Sequence, residues 1–112
     1  MERRSKVEEK IKISILLSLY GNLLTETQKK YMDLYYNQDW SLSEIGESEN
    51  ITRQAVRTIL LKSKTKLYEY EEKIGFLKKQ EKISNLLRKM EEHNISEETK
   101  KILKKIKEEL EF

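Results

Sequence analysis

Three side chains near the middle of the chain have the chemistry to read nucleic acid bases. Arg53, Gln54 and Arg57 stand close together in the sequence. An arginine can pair bidentately with guanine and a glutamine with adenine in the major groove. Thr52 and Thr58 stand beside them, and Thr52 together with the start of a helix can hold a backbone phosphate. These five residues predict a nucleic-acid contact.

Positive charge continues beyond them and is confined to one segment. Residues 51–68 hold five Lys/Arg and no Asp/Glu, whereas residues 1–50 hold seven against nine and residues 69–112 hold eleven against eleven. The whole net charge of +3 therefore comes from this segment. Neutralisation of phosphates would supply most of the affinity for nucleic acid. The alternative interpretation is that these cations form an ordinary solvated helix face. The lysines that complete the candidate set are Lys62, Lys64 and Lys66.

The positioning element is predicted to be a helix-turn-helix over residues 41–65. Ser41 with Glu44 matches a capping box that opens a short helix, and Thr52 is the next N-cap candidate. The helix that Thr52 opens has no Gly or Pro from Arg53 to Ile74, which is about 22 residues or roughly 33 Å. A short helix, a turn and a recognition helix are the unit that enters the DNA major groove.

Apolar residues at the expected positions should hold these two helices together. Gly46 is expected where the helices cross, since a larger side chain would push them apart. Asn50 occupies the turn position that glycine usually holds, and asparagine tolerates a positive φ better than most residues. The residues expected to make the inter-helix contact are Ile45, Ile51, Val56 and Ile59.

Two further helices are expected before the helix-turn-helix. The first, Lys6 to Tyr20, should end at Gly21 in a left-handed conformation; the second should begin at a Thr25–Gln28 capping box and run to Tyr36. The first helix is apolar nearly all round, which predicts burial between two neighbours, one of them a second subunit. Val7, Ile11, Ile15, Leu16 and Leu19 form its main stripe, with Ile13, Leu17 and Tyr20 on the other side, and the second helix should face inward with Tyr31, Leu34 and Tyr35.

The spacing of apolar residues after Gly75 predicts a helical hairpin, with helices from Leu77 to Glu92 and from Glu97 to Glu111. Narrow apolar stripes on short, charged helices need a partner surface. The domain prediction is therefore a helix-turn-helix domain over residues 1–74 and a hairpin over 75–112 that serves packing or dimerisation. The fold class is all-α with five to six helices, and a homodimer is expected because helix-turn-helix proteins commonly present two copies to two half-sites.

Composition argues against several classes of protein. The chain has no Cys and one His, His93, which stands near a predicted helix end where a favourable cap charge is its simplest role. Without a glycine-rich phosphate loop or a nucleophile beside a base, we expect neither an enzyme nor a cofactor or metal site. No run approaches the roughly 18 apolar residues of a membrane span, so a cytoplasmic protein is expected.

The helix-turn-helix residues resemble region 4 of bacterial sigma factors, which reads the −35 promoter element. The resemblance rests on the runs Leu42-Ser-Glu-Ile-Gly-Glu and Ile51-Thr-Arg-Gln-Ala-Val-Arg-Thr-Ile. It implies base contacts for Arg53, Gln54 and Thr58, and backbone or neighbouring contacts for Arg57 and Lys62. Gln54 replaces an acidic base reader and Ala55 a residue that is often charged, so the resemblance does not imply the same promoter element.

A second resemblance covers Tyr20 to about Ile74 and is to the YlxM family. It rests on Tyr20-Gly-Asn-Leu-Leu-Thr, Leu34-Tyr-Tyr, Ser41-Leu-Ser-Glu-Ile and Arg53-Gln-Ala-Val, with Gln28, Tyr31, Asp39, Tyr70-Glu and Lys73. Members are small cytosolic proteins encoded beside the signal recognition particle GTPase gene. The resemblance implies a DNA-binding, transcription-regulating protein of that pathway. The alternative is an accessory factor that binds the particle's GTPase or its RNA, and under that reading Gln54 has no base to read.

Overall fold

The computed structural model describes residues 2–111, and these residues form six α-helices, one short 3₁₀ turn and no strand. The prediction of an all-α fold with five to six helices is confirmed. The chain divides into two compact units, the first ending at Ile74 and the second beginning at Gly75. No helix among the described residues is long and apolar enough to cross a membrane. The helices are α1 (Glu2–Tyr20), α2 (Glu26–Tyr36), α3 (Leu42–Glu49), α4 (Arg53–Ile74), α5 (Phe76–Glu91) and α6 (Glu97–Leu110), and the 3₁₀ turn is Gly21–Leu23.

Both predicted capping boxes form. The backbone N–H of Gln28 donates to Thr25 Oγ1 at 3.2 Å, and the N–H of Thr25 donates back to Gln28 Oε1 at 3.1 Å. Ser41 and Glu44 make the same reciprocal pair at 3.0 and 3.1 Å. Each box satisfies two backbone donors that the first turn of a helix would otherwise leave unpaired. These local hydrogen bonds determine where α2 and α3 begin.

In the first unit, α1, α2 and α3 all pack against α4. Side chains from all four helices form the core, and α4 contributes one polar group to it, Ser63. The Ser63 hydroxyl donates to the carbonyl of Ile59 at 2.7 Å, so its burial leaves no donor unpaired. The buried apolar residues of this unit are Ile13, Leu16, Leu17, Tyr20, Leu24, Tyr31, Met32, Ile45, Val56, Leu60 and Leu67.

Helix α1 differs from its prediction in two respects. Its buried residues are Ile13, Leu16, Leu17 and Tyr20, so of the predicted main stripe only Leu16 is buried, whereas Val7 and Ile11 are 55% and 56% exposed. Both sides of this helix carry apolar residues at helical spacing, so only packing against α2 and α4 selects the buried one. The expected left-handed Gly21 is also wrong. The chain continues there into the 3₁₀ turn, where the Leu24 N–H donates to the Gly21 carbonyl at 3.1 Å.

Helix α2 also faces inward differently from the expectation. Tyr31 is buried as predicted, but its neighbour Met32 is the more deeply buried residue, and Leu34 and Tyr35 are only half-buried. Met32 fills space between α2 and its neighbours, which a flexible thioether side chain does readily. The link after α2 holds Asp39 at a φ of 58°, and Lys10 of α1 bonds its carboxylate at 2.5 Å.

In the second unit, α5 and α6 pack against each other as a helical hairpin. Gly75, at a φ of 68°, ends α4 with the left-handed conformation that glycine adopts most easily, and α5 begins one residue earlier than expected. Leu87 of α5 and Leu103 of α6 are buried, and the Gln80 side-chain amide donates to the Leu110 carbonyl at 3.4 Å. These contacts define the antiparallel register of the hairpin.

Candidate nucleic-acid interface

A tight left-handed turn sets the angle between α3 and α4. Asn50 has φ 58° and ψ 43°, and the N–H groups of Asn50 and Ile51 both donate to the Gly46 carbonyl. A Cβ added to Gly46 would lie 2.8 Å from the Ile51 carbonyl oxygen, closer than two such atoms can approach. Gly46 and Asn50 therefore have the roles that the sequence predicts for them: close approach at one and positive φ at the other.

The N-terminus of α4 is capped by Thr52. Its Oγ1 accepts the backbone N–H of Ala55 at 3.0 Å, and its own carbonyl accepts the N–H of Val56. Val56 is fully buried, so this end of α4 packs against the core. Because the hydroxyl accepts one hydrogen bond here, its proton can still be donated to an oxygen outside the protein.

Arg53, Gln54 and Arg57 are exposed together at this end of α4. With Leu42 of α3 they line one open cleft. Neither arginine forms an ion pair with any residue that the structure describes. Thr58, one turn after Gln54, is also exposed, and its hydroxyl donates to the Gln54 carbonyl at 3.1 Å. The sequence-predicted readers thus share one surface.

The three lysines do not share one environment. Lys62 and Lys66 are exposed, each one turn further along α4 from Thr58 and from one another. Lys64 is half-buried, and its Nζ lies 2.8 Å from Oε1 of Glu9 in α1. The structure therefore leaves seven of the eight candidate residues exposed on α4 and its N-cap, whereas Lys64 contacts α1.

An acidic residue beside the turn, Glu49, forms an ion pair with a lysine of α2. Glu49, the last residue of α3, bonds Lys30 of α2 at 2.6 Å, and this hydrogen bond with the charge of Glu49 raises the pKa of Lys30. A carboxylate whose charge is compensated repels a nearby phosphate less than an unpaired one. Sequence reasoning missed this contact, because the two residues lie 19 positions apart in the chain and are brought together only by folding.

A groove that the sequence did not reveal adjoins Arg57. Its lining includes Tyr35, Tyr36 and Leu60, together with Lys6 and Lys10 of α1. Partial burial raises the pKa of Tyr36 to about 12, with smaller contributions from the nearby Tyr35 and Glu9. The Tyr36 hydroxyl therefore stays protonated at all physiological pH values. Within the described part of the chain, no group of three or more metal-ligating side chains comes together.

The chain matches a family profile described as "Putative helix-turn-helix protein, YlxM / p13 like" over residues 7–109. This range is most of the chain and includes both units. The chain belongs to the UPF0122 family. Membership agrees with the observed α3–turn–α4 geometry and extends the sequence resemblance beyond α4 into the hairpin.

Several UPF0122 proteins are similar over most of their length. One from Clostridium kluyveri is 47% identical over 77 residues, which is 69% of each chain. One from Halalkalibacterium halodurans is 42% identical over 86 residues, covering 77% of this chain and 79% of the relative. One from Bacillus cereus is 36% identical over 105 residues, covering 89% and 96%. The family's shared description goes no further than a helix-turn-helix protein.

Proposed function

We propose that this protein binds duplex DNA as a regulatory protein, with α3 crossing the backbone and the start of α4 in the major groove. One observation carries the proposal. Arg53, Gln54 and Arg57 are exposed side by side at the capped N-terminus of α4, on a segment with no acidic residue. A helix N-terminus with exposed arginines attracts phosphate and offers bidentate donors to bases.

The residues would divide their work by position. Arg53, Gln54 and Thr58 lie where the resemblance to sigma region 4 implies base contacts. Arg57, Lys62 and Lys66 would neutralise phosphates along the groove, and Thr52 would donate its remaining proton to a phosphate oxygen at the helix end. Lys64 would not contact DNA directly, because Glu9 already holds its ammonium group.

The proposal is tested by binding selection on random duplex DNA, followed by titration of the selected site at several salt concentrations. Arg53→Ala with Arg57→Ala should weaken binding about 10-fold or more and reduce the slope of log affinity against log salt. Lys73→Ala is the matched control, since it removes an exposed cation from the last turn of the same helix. Unchanged affinity and slope in the double variant would contradict the groove assignment.

Titrations against duplex DNA, the particle RNA and its GTPase separate a DNA-binding regulator from an accessory factor of the signal recognition particle pathway. A DNA-binding regulator should prefer its selected site over random duplex by a factor of at least ~10³. A protein that shows no such preference, but binds the particle RNA or its GTPase more tightly than duplex DNA, would be an accessory factor, and the DNA proposal would be wrong.

A further inference from the structure

The α5–α6 hairpin carries an apolar face that its own two helices leave uncovered. Leu86 is 61% exposed and Ile102 is 54% exposed, although both are aliphatic. Met90, one turn after Leu86, is 45% exposed, and Ile106, one turn after Ile102, is 39% exposed. A hairpin whose large aliphatic side chains remain in water has not completed its core, and such patches mark interaction sites.

Helical geometry places these four residues on one side of the hairpin. At about 100° per residue, Leu86 and Met90 lie on one flank of the buried Leu87, and Ile102 lies on the corresponding flank of the buried Leu103. Because the two helices run antiparallel, both flanks point to the same side of the hairpin. We call this surface, formed by Leu86, Met90, Ile102 and Ile106, the hairpin face.

Charged residues border the hairpin face unequally. The outer edge of α5 carries Lys82 and Lys89 and no acidic residue, and Lys79 lies beside the row of Leu86 and Met90. The outer edge of α6 carries Glu98 and Glu109 near its two ends, with Lys101 and Lys105 between them. A surface with a basic edge and an opposite edge that is acidic at its two ends can complement a second copy of itself.

We propose that the hairpin face binds the hairpin face of a second copy of this chain, giving a symmetric four-helix bundle. A two-fold axis parallel to the helices lays α5 of one copy over α6 of the other. A two-fold axis across the helices would instead lay α5 over α5 and bring the lysine edges together, which like-charge repulsion disfavours. The charge pattern thus selects the first arrangement, in which all neighbouring helices are antiparallel.

The register of the hairpin then specifies the pairs between copies. The Gln80–Leu110 contact and the buried Leu87 and Leu103 set which residues of α5 and α6 lie level with one another. In the selected arrangement, Lys82 lies near Glu109 of the second copy and Lys89 near its Glu98. Leu86 lies between Ile102 and Ile106 of the second copy, which is the interdigitation that a four-helix core requires.

Sedimentation velocity of the full-length chain over a concentration series tests this interface. The wild-type chain should be a dimer, and Leu86→Glu should be a monomer because it would bury two carboxylates at the two-fold interface. Lys82→Glu should raise the dimer dissociation constant about tenfold, by placing Glu beside Glu109. The double variant Lys82→Glu with Glu109→Lys should restore the wild-type value, because the pair is then reversed.

Lys104→Glu is the control, since it makes the same charge change on the side of α6 opposite the hairpin face. It should leave the dissociation constant unchanged, and circular dichroism should show equal helix content in all variants. A monomeric wild type, or a dimer indifferent to both Leu86→Glu and Lys82→Glu, would overturn the proposal. The interface is independent of the DNA proposal, because Arg53→Ala with Arg57→Ala should leave the dimer intact.

Discussion

The ammonium group of Lys64 in α4 lies 2.8 Å from the carboxylate of Glu9 in α1. The two residues are 55 positions apart in the chain, so this contact exists only in the folded protein. It joins the middle of the candidate recognition helix to the N-terminal half of α1. One of the five cations that make the segment appear suited to DNA therefore has a structural partner.

We expect Lys64→Ala to affect folding more than DNA binding. The ion pair is partly exposed, so its loss should lower the free energy of unfolding by at most about 1 kcal/mol. Lys62→Ala, which removes an exposed cation, should instead reduce the salt slope of DNA binding by about one. Urea unfolding and salt titration of both variants measure these effects. An equal fall in slope for both would mean that Lys64 leaves Glu9 to contact phosphate.

Substitution of Gly46 should damage the helix-turn-helix itself. In Gly46→Ala the new methyl group would meet the Ile51 carbonyl at 2.8 Å, and backbone cannot move aside cheaply. We expect a loss of about 1–3 kcal/mol in unfolding free energy, despite the better helix propensity of alanine. Ser48→Ala, at an exposed position of the same helix, should be nearly neutral. Unfolding midpoints in urea that differ little between the two variants would show that α3 and α4 can separate without cost.

The left-handed turn residue gives a prediction with opposite signs for two substitutions. Asn50 has φ 58°, where a Cβ without a compensating polar group costs about 1–2 kcal/mol. Asn50→Ala should therefore lower the thermal unfolding midpoint, whereas Asn50→Gly should hold or raise it. Destabilisation by both substitutions would indicate that the asparagine side chain, rather than the backbone conformation, stabilises the turn.

Burial of Tyr36 predicts a loss of stability at high pH. Its pKa rises from 10.0 to about 12 in the folded chain. Below pH 10 the hydroxyl is protonated in both the folded and unfolded states; between these values only the unfolded state loses the proton, so stability falls as pH rises. Because Tyr36 is only half-buried, solvent screening reduces its contribution, which we expect to be about 1–2 kcal/mol across the window.

Because lysines also titrate in that range, the measurement is the difference between the wild type and Tyr36→Phe. The unfolding free energy of the wild type, relative to that of Tyr36→Phe, should be lower at pH 11 than at pH 9, because phenylalanine has no proton to lose. Ultraviolet titration should show a late tyrosine ionisation that is missing in Tyr36→Phe. Parallel stability curves for the two proteins would contradict the assignment.

The sequence by itself determined the features whose causes are local. The Thr25–Gln28 and Ser41–Glu44 boxes involve partners three residues apart, so their hydrogen bonds could be predicted before any tertiary contact was known. The left-handed conformation of Asn50 follows from residue type in the same way. Helix count, the limits of α4 and the all-α class depend on periodicity and were accessible for that reason.

Tertiary structure decided what depends on distant partners. Helix α1 has apolar residues on two sides, and only packing against α2 and α4 buried Ile13 rather than Ile11. Five cations look equivalent in the sequence, yet Glu9 lies close enough to neutralise Lys64 and no described carboxylate does so for Arg53. Periodicity reports which residues share a side of a helix, but the identity of the neighbour across that side depends on how the whole chain folds.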